Sequence, residues 1–241
     1  MQNIRAICFD LDNTLWDVWP VIMRAEQAMY DFLAAHYPRT VADVTIEALR
    51  EARSQVVAEH PQMAHDFTFL RKQALRNLAA KHGYPDELVD EAFQVFIDAR
   101  NDVALYEEVL PALNTLRSRY RLFTASNGNA DLEKIGIAHL FERTIAARQV
   151  GALKPDPIVF QKVIDGTDLE LDEVLYVGDD PIMDVVGSRD AGMHPVWINR
   201  EGAVWPSELE PAEFAITTLD ELVDLTCGAA PPSLGRPHLT R

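Results

Sequence analysis

The chain has 241 residues, 48% of them hydrophobic, and 38 acidic against 22 basic side chains give a formal net charge of −16. That length suits one large domain or two modest ones, and the composition is that of an ordinary globular protein. So acidic a chain is repelled by nucleic acid and by anionic membrane surfaces, which sets both aside as partners, but it admits a small phosphorylated metabolite wherever a metal or local cations neutralise the site. Cys8 and Cys227 are the two cysteines, and Cys8 falls inside an apolar run, where it reads as a small buried hydrophobe rather than half of a disulfide. No apolar stretch approaches a membrane span, and the first residues lack the charged-then-apolar pattern of a signal peptide. The expectation is a cytoplasmic protein, monomer or homodimer.

Ile4 to Phe9 is a short apolar run that reads as a buried strand. It delivers Asp10 and Asp12 at its carboxyl end, the edge where open parallel sheets place their chemistry. Extended backbone at that spacing points both carboxylates the same way. The competing reading is a helix cap, for which Asp12, Asn13 and Thr14 are all suited, although capping needs one such residue and does not account for Asp10.

From Val18 the periodicity is helical. Helices are expected over Val18–Ala35, Asp43–Glu59, Phe67–Lys81 and Pro85–Arg100, stopped by Pro38, Pro61 and Gly83. A block of helices without a strand reads as an insertion, and between the first strand and the second it emerges above Asp10 and Asp12, as a lid does. Beyond it the texture alternates. Strands are expected at Arg121–Ser126, Thr144–Ala147, Val174–Val177, Pro195–Ile198 and Phe214–Ile216. Helices are expected at Val109–Ser118, Ala130–Ile137, Pro157–Asp165, Pro181–Ala191 and Asp220–Leu225. Such alternation means right-handed βα units. The fold class is α/β, a Rossmann-like core with a parallel sheet and a helical cap domain inserted after the first strand. The core takes residues 1–16 and 104–227, the cap 17–103, and the Pro- and Gly-rich residues 228–241 read as a flexible tail.

Four strand ends bring polar groups to one edge: Asp10 and Asp12, then Ser126-Asn127-Gly128, then Lys154, then Asp179 and Asp180 with Asp184 close behind. Five carboxylates in one crevice repel one another unless a cation is present. Oxygen donors without His or Cys suit Mg²⁺. Ser126-Asn127-Gly128 offers a hydroxyl and backbone N–H groups for an anion, although Asn-Gly is also common turn chemistry. Gly178-Asp179-Asp180-Pro181 can be read as a turn and a capped helix. Lys154, by itself an ordinary surface lysine, is the one nearby fixed cation of this reading and becomes a phosphate clamp. The seven histidines show no metal-ligand spacing. Neither a Walker A loop nor a dinucleotide fingerprint is present.

Taken in order, these stretches resemble the motifs of the haloacid dehalogenase-like hydrolase superfamily, from about residue 4 to residue 226. Asp10-Leu11-Asp12-Asn13-Thr14-Leu15 is similar to the first motif, Thr124 to Gly128 to the second, Lys154-Pro155 to the third and Val177 to Asp184 to the fourth. The helical insertion sits where the family's type-1 cap sits. The resemblance implies a phosphatase in which Asp10 is the nucleophile that becomes an aspartyl phosphate and Asp12 the proton carrier. It implies that Ser126, Asn127 and Gly128 hold phosphate oxygens and that Lys154 balances charge. Mg²⁺ would be held by Asp10, the Asp12 carbonyl and Asp179, with Asp184, and Asp180 as a further candidate, behind them.

Within the superfamily, Trp19 to Glu26, His65 to Thr68 and Asn127 to Ala130 resemble bacterial phosphatases of flavin mononucleotide and of the phosphorylated ribitylamino-uracil of riboflavin biosynthesis. Trp16, Trp19, Phe67 and Phe69 would then form an aromatic wall for the ring, unless they serve as cap core. Two other activities share the fold. A 2-haloacid dehalogenase keeps the nucleophile but needs neither a metal nor an acid at Asp12, and a sugar-phosphate mutase keeps the whole set. A non-enzymatic phospho-acceptor module is about half this length and has no cap.

Overall fold

A computed structural model of the chain describes residues 3–228. Six strands form one sheet: β1 (Ala6–Phe9), β2 (Arg121–Ser126), β3 (Arg143–Ala146), β4 (Val174–Gly178), β5 (His194–Ile198) and β6 (Phe214–Ile216). Their spatial order is β3-β2-β1-β4-β5-β6, and every neighbouring pair is parallel. The α/β, Rossmann-like core is therefore present as expected. The strand order reverses between β1 and β4, and ligand crevices of open parallel sheets lie at such reversals. Asp10 follows β1 and Asp179 follows β4, so the reversal puts both at that crevice.

Alternation along β1 builds both faces of the sheet. Ile7 and Phe9 pack with Leu122, Leu175 and Val177 under α5 (Val109–Leu116) and α10 (Leu219–Cys227), with the short α6 (Leu132–Ile135) at the edge. Ala6 and Cys8 face the other way, with Phe123 and Tyr176, under α8 (Pro157–Ile164). Cys8 is fully buried and both cysteines are free. The core is completed by α7 (Ala147–Val150) and α9 (Gly187–Ala191).

The insertion carries four helices, α1 (Val18–His36), α2 (Ile46–Glu59), α3 (Phe67–His82) and α4 (Glu87–Arg100), with a short 3₁₀ turn in each of the first two connections and a left-handed Gly83 ending α3. Ala25, Met29, Leu33, Leu75, Ala79, Leu88, Ala92 and Phe96 recur at helical spacing and make a second core of their own. Asn129 on the β2 loop donates to Thr68 Oγ1 at 3.3 Å, and Lys134 pairs with Asp98 at 2.7 Å, so the helical insertion rests on the carboxyl edge of the sheet. Most of the tail expected over 228–241 lies outside the described residues. Among the described residues, no helix is long and apolar enough to cross a membrane.

Two expectations are corrected by the backbone. The helix expected over Pro181–Ala191 is a wide π-helical stretch, Pro181–Val186, followed by α9. Asp180 caps it, its side chain accepting from the N–H groups of Ile182 and Met183, both at 2.8 Å. The expected helix over Ala130–Ile137 contracts to α6, which Asp131 caps.

Candidate active site

Asp10 and Lys154 are the centre of the crevice, both buried. The Lys154 ammonium donates to Asp10 Oδ1 at 2.5 Å, to Asp184 Oδ1 at 2.6 Å and to the Tyr176 hydroxyl at 2.9 Å. Its three donors are thereby used. The Tyr176 hydroxyl donates in turn to the Ala125 carbonyl at 2.9 Å. Burial by itself would lower the Lys154 pKa, but Asp10 and Asp184 outweigh it and hold the ammonium above its ordinary range. Burial pushes the Asp10 carboxyl well up; Lys154 pulls against this, while Asp184 and Asp179 add to it.

Asp179 completes the acidic set. Its carboxyl is pushed up to about 7, by burial first and by Asp184 second. One carboxylate oxygen from each of Asp10, Asp179 and Asp184 lies within 4.8 Å of the others, a compact group of hard oxygen donors that fits a divalent cation. Asp184 reaches this group because the wide turn after Pro181 swings it inward, with Oδ2 accepting from the Asp180 N–H at 3.0 Å. Gly178 makes room for it: a Cβ there would lie 2.3 Å from the Asp184 carboxylate. Asp180 spends Oδ1 on its cap, so the turn-and-cap reading of that stretch holds for Asp180 but not for its neighbours.

Asp12 stands apart from these carboxylates. The chain turns sharply at Asn13, which takes a left-handed conformation (φ 58°) that asparagine tolerates. The Asn13 side chain accepts from the Val18 N–H at 3.1 Å and donates to Asp179 Oδ2 at 3.4 Å. Asp12 is held instead by Arg100 Nη2, at 2.7 and 2.8 Å from its two oxygens, and by the Trp16 indole N–H at 2.8 Å. It is not a helix cap, since Asp17 caps α1 and accepts from the Trp19 N–H. Arg100 is the final residue of α4 and is 1% exposed. The crevice thus holds a second fixed cation besides Lys154, contrary to the sequence reading. A partner 88 positions away leaves no local signal.

Ser126, Asn127 and Gly128 close β2 beside this group. Ser126 Oγ accepts from the Gly128 N–H at 3.0 Å, which leaves its own hydroxyl proton for an anion. The Asn127 side chain is occupied: it accepts from the Lys154 N–H at 2.8 Å and donates to the Lys154 carbonyl at 3.2 Å. It braces the lysine, at a cis Lys154–Pro155 peptide bond. Gly128 lies so close to Asp12 that a Cβ would come within 2.8 Å of Oδ2.

A cavity of about 310 Å³ runs from Asp12 and Gly128 up into the cap, lined by Val18, Ile22, Phe67 and Phe96. The aromatic wall expected from sequence is largely different. Trp16 is fully buried beneath Asp12, Trp19 is exposed, and Phe69 stacks edge-on against His60. Only Phe67 of the four lines the cavity, and Phe96 takes the place of the others.

A parallel sheet whose reversal carries a buried aspartate–lysine pair under a helical cap defines a hydrolase-type α/β fold. A family model described as haloacid dehalogenase-like hydrolase matches residues 4–192, and the chain belongs to that family. It is similar to 5-amino-6-(5-phospho-D-ribitylamino)uracil phosphatase YigB of Escherichia coli (strain K12), 29% identical over 93% of this chain and 97% of the relative. It is similar also to (S)-2-haloacid dehalogenase 2 of Pseudomonas sp. (strain CBS-3), 28% identical over 93% of this chain and 96% of the relative. Among solved structures, 2-haloacid dehalogenase from Pseudomonas syringae pv. Tomato DC3000 superposes with a TM-score of 0.87 at 34% identity, covering 92% of this chain and 97% of that one.

Proposed function

We propose that the protein is a Mg²⁺-dependent phosphomonoesterase acting on a small phosphorylated metabolite through an aspartyl phosphate. The observation that carries this reading is the division of labour between Asp10, which belongs to the three-carboxylate group beside Lys154, and Asp12, which stands outside it at the mouth of the cap cavity. Asp10, Asp179 and Asp184 would hold the metal, whose charge would neutralise the crevice and admit a phosphate dianion.

Lys154 occupies Asp10 Oδ1, so Oδ2 is the oxygen available to attack phosphorus. As the new Oδ2–P bond forms, the bond from phosphorus to the ester oxygen breaks, and that oxygen leaves with a proton from Asp12. Asp12 then takes a proton from water, whose oxygen attacks phosphorus and breaks the Oδ2–P bond, releasing phosphate. The Ser126 hydroxyl and the Asn127 backbone N–H would bind the non-bridging oxygens, with the Gly128 N–H holding the Ser126 oxygen in place, as fixed donors do for phosphoryl charge.

Relatives with both activities make dehalogenation the competing reading. Halide leaves as a stable anion and needs no proton, whereas an alkoxide does, so the proton-donating half of the role given to Asp12 is needed for phosphate-ester cleavage and not for halide departure. Flavin mononucleotide and the phosphorylated ribitylamino-uracil are the proposed substrates; the activity named for the E. coli relative supports the second, and the aromatic lining of the cavity suits the ring of either. That would place the protein in riboflavin biosynthesis, in the cytoplasm.

The test is phosphate release from a panel of phosphorylated metabolites with Mg²⁺, beside chloride release from 2-chloropropionate without it. Expected is Mg²⁺-dependent phosphate release that chelator and Asp10→Asn abolish. Halide release that persists in chelator, with no phosphate released, would replace this reading with the dehalogenase.

A further inference from the structure

The cap cavity has a polar wall that phosphoryl chemistry does not use. Glu26 on α1 is buried and faced by three arginines. Arg50 Nε donates to Oε2 at 2.6 Å, while Arg53 Nη1 and Arg71 Nη2 both stand 3.5 Å from Oε1. Among the described residues, the other carboxylate paired with any of them is the exposed Glu47, 3.8 Å from Arg50. One buried carboxylate is therefore shared among three cations, in a chain whose net charge is −16.

Arg53 and Arg71 hold Glu26 at the outer limit of a hydrogen bond and so keep donors to spare. Both line the cavity that reaches Asp12 and Gly128. The Arg71 guanidinium stacks 3.5 Å over the ring of Phe96, which fixes its plane and leaves its N–H edge as the face that can bind. Burial, with Arg53 nearby, draws the Arg71 pKa down to about 9, as expected of a cation short of negative partners. A planar edge of donors matches two adjacent acceptor oxygens.

We propose that Arg71 and Arg53 anchor the far end of the substrate, selecting phosphate monoesters whose leaving group is an apolar body carrying a pair of acceptor oxygens. Phosphate at Asp10 and the acceptor pair at Arg71 would fix the ester at both ends, with Val18, Ile22 and Phe67 against the apolar middle. This rests on the phosphomonoesterase reading.

Three esters separate the terms: phenyl phosphate has no far acceptors, 4-nitrophenyl phosphate has a neutral pair, and 4-carboxyphenyl phosphate has an anionic pair. Comparing each variant with wild type on the same ester cancels intrinsic leaving-group reactivity. Arg71→Met and Arg53→Met are each expected to lower kcat/KM for 4-carboxyphenyl phosphate about tenfold more than for phenyl phosphate, chiefly through KM. Arg71→Lys is expected to recover part of the loss. An equal extra loss on 4-nitrophenyl phosphate assigns the recognition to acceptor geometry, and its absence there assigns it to charge. The same fold-loss on all three esters overturns the proposal. Arg53, a third exposed, supplies a variant that keeps the fold should Arg71→Met unfold the cap. If wild type hydrolyses none of the three with Mg²⁺, the comparison moves from kinetics to binding, and the phosphomonoesterase reading fails by itself only where the metabolite panel releases no phosphate either. Calorimetric binding of 4-carboxyphenyl phosphate to wild type and to Arg53→Met then decides the anchor: weaker binding in the variant supports it and equal binding overturns it.

Discussion

Arg100 Nη2 bridges both carboxylate oxygens of Asp12, at 2.7 and 2.8 Å, and so ties the last turn of a cap helix to the loop that follows the first strand. With the Trp16 indole on Oδ1, the carboxylate is held from two sides by donors. Cap position and the orientation of the proposed proton carrier are thereby one structural variable. Arg100→Met should loosen the cap and let Asp12 rotate. Hydrogen bonds to charged groups contribute about 1.5–3 kcal/mol, so a loss of about 2 kcal/mol in urea denaturation is expected. On the enzyme, kcat should fall while Mg²⁺ affinity stays unchanged, because Asp12 is outside the three-carboxylate group. A variant with wild-type kcat would separate Arg100 from the positioning of Asp12.

Lys154 holds a different pair together. Its ammonium is the fixed cation between Asp10 and Asp184, at 2.5 and 2.6 Å. Lys154→Met leaves two buried carboxylates facing each other, and removing one partner from a buried ion pair costs about 3–5 kcal/mol. Turnover should be lost as well. Added Mg²⁺ should raise the melting temperature of Lys154→Met more than that of wild type, since the metal becomes the only cation between Asp10 and Asp184. An equal rise in both proteins would show that Lys154 and the metal do not share those carboxylates.

The sign of the pH dependence follows from Asp179. Its carboxyl is raised to about 7, against about 3.9 for an unperturbed aspartate. Between those values the folded, metal-free protein holds a proton that the unfolded chain has released. Its contribution to stability is therefore greatest at low pH and is lost as pH rises through that window. Metal competes with the same proton. Stabilisation by Mg²⁺, read as the shift in melting temperature, should be small near pH 6 and grow above about pH 7. Asp179→Asn should abolish that dependence.

Local pattern carried the fold, and contacts between distant elements carried what the pattern missed. Strands Arg121–Ser126 and Phe214–Ile216 were legible to the residue, because apolar runs bounded by turn residues need no tertiary knowledge. The four cap helices were legible from periodicity for the same reason. Asp10 and Asp179 directly follow β1 and β4, and Lys154 and Asp184 lie on the segments that follow β3 and β4, so the four could be brought together because parallel strands end on one edge. Arg100 lies at the end of a cap helix, and only the docking of cap on core brings it to Asp12. Nothing in Val174–Val177 shows that the Tyr176 hydroxyl meets Lys154. Phe96 replaces Trp16 and Trp19 on the cavity wall because the stripe each helix turns toward the core is set by packing rather than by aromatic content.

Two glycines distinguish the three-carboxylate group from the proposed proton carrier and can be tested as a pair. A Cβ at Gly178 would lie 2.3 Å from the Asp184 carboxylate, and one at Gly128 would lie 2.8 Å from Asp12 Oδ2 and 3.3 Å from Ser126 Oγ. Neither site has room, and overpacking costs about 1–3 kcal/mol. Gly178→Ala must push Asp184 off Lys154, so the acidic group should lose its shape and bind Mg²⁺ at least about tenfold more weakly. Gly128→Ala leaves that group untouched and crowds the carboxylate that Arg100 holds. It should bind Mg²⁺ as wild type does and lose turnover. Mg²⁺ titrations read by thermal shift, set beside steady-state kinetics, distinguish the two. Equal loss of Mg²⁺ affinity in both variants would mean that Asp12 and Asp184 belong to one group, and the division of roles between Asp10 and Asp12 would fall with it.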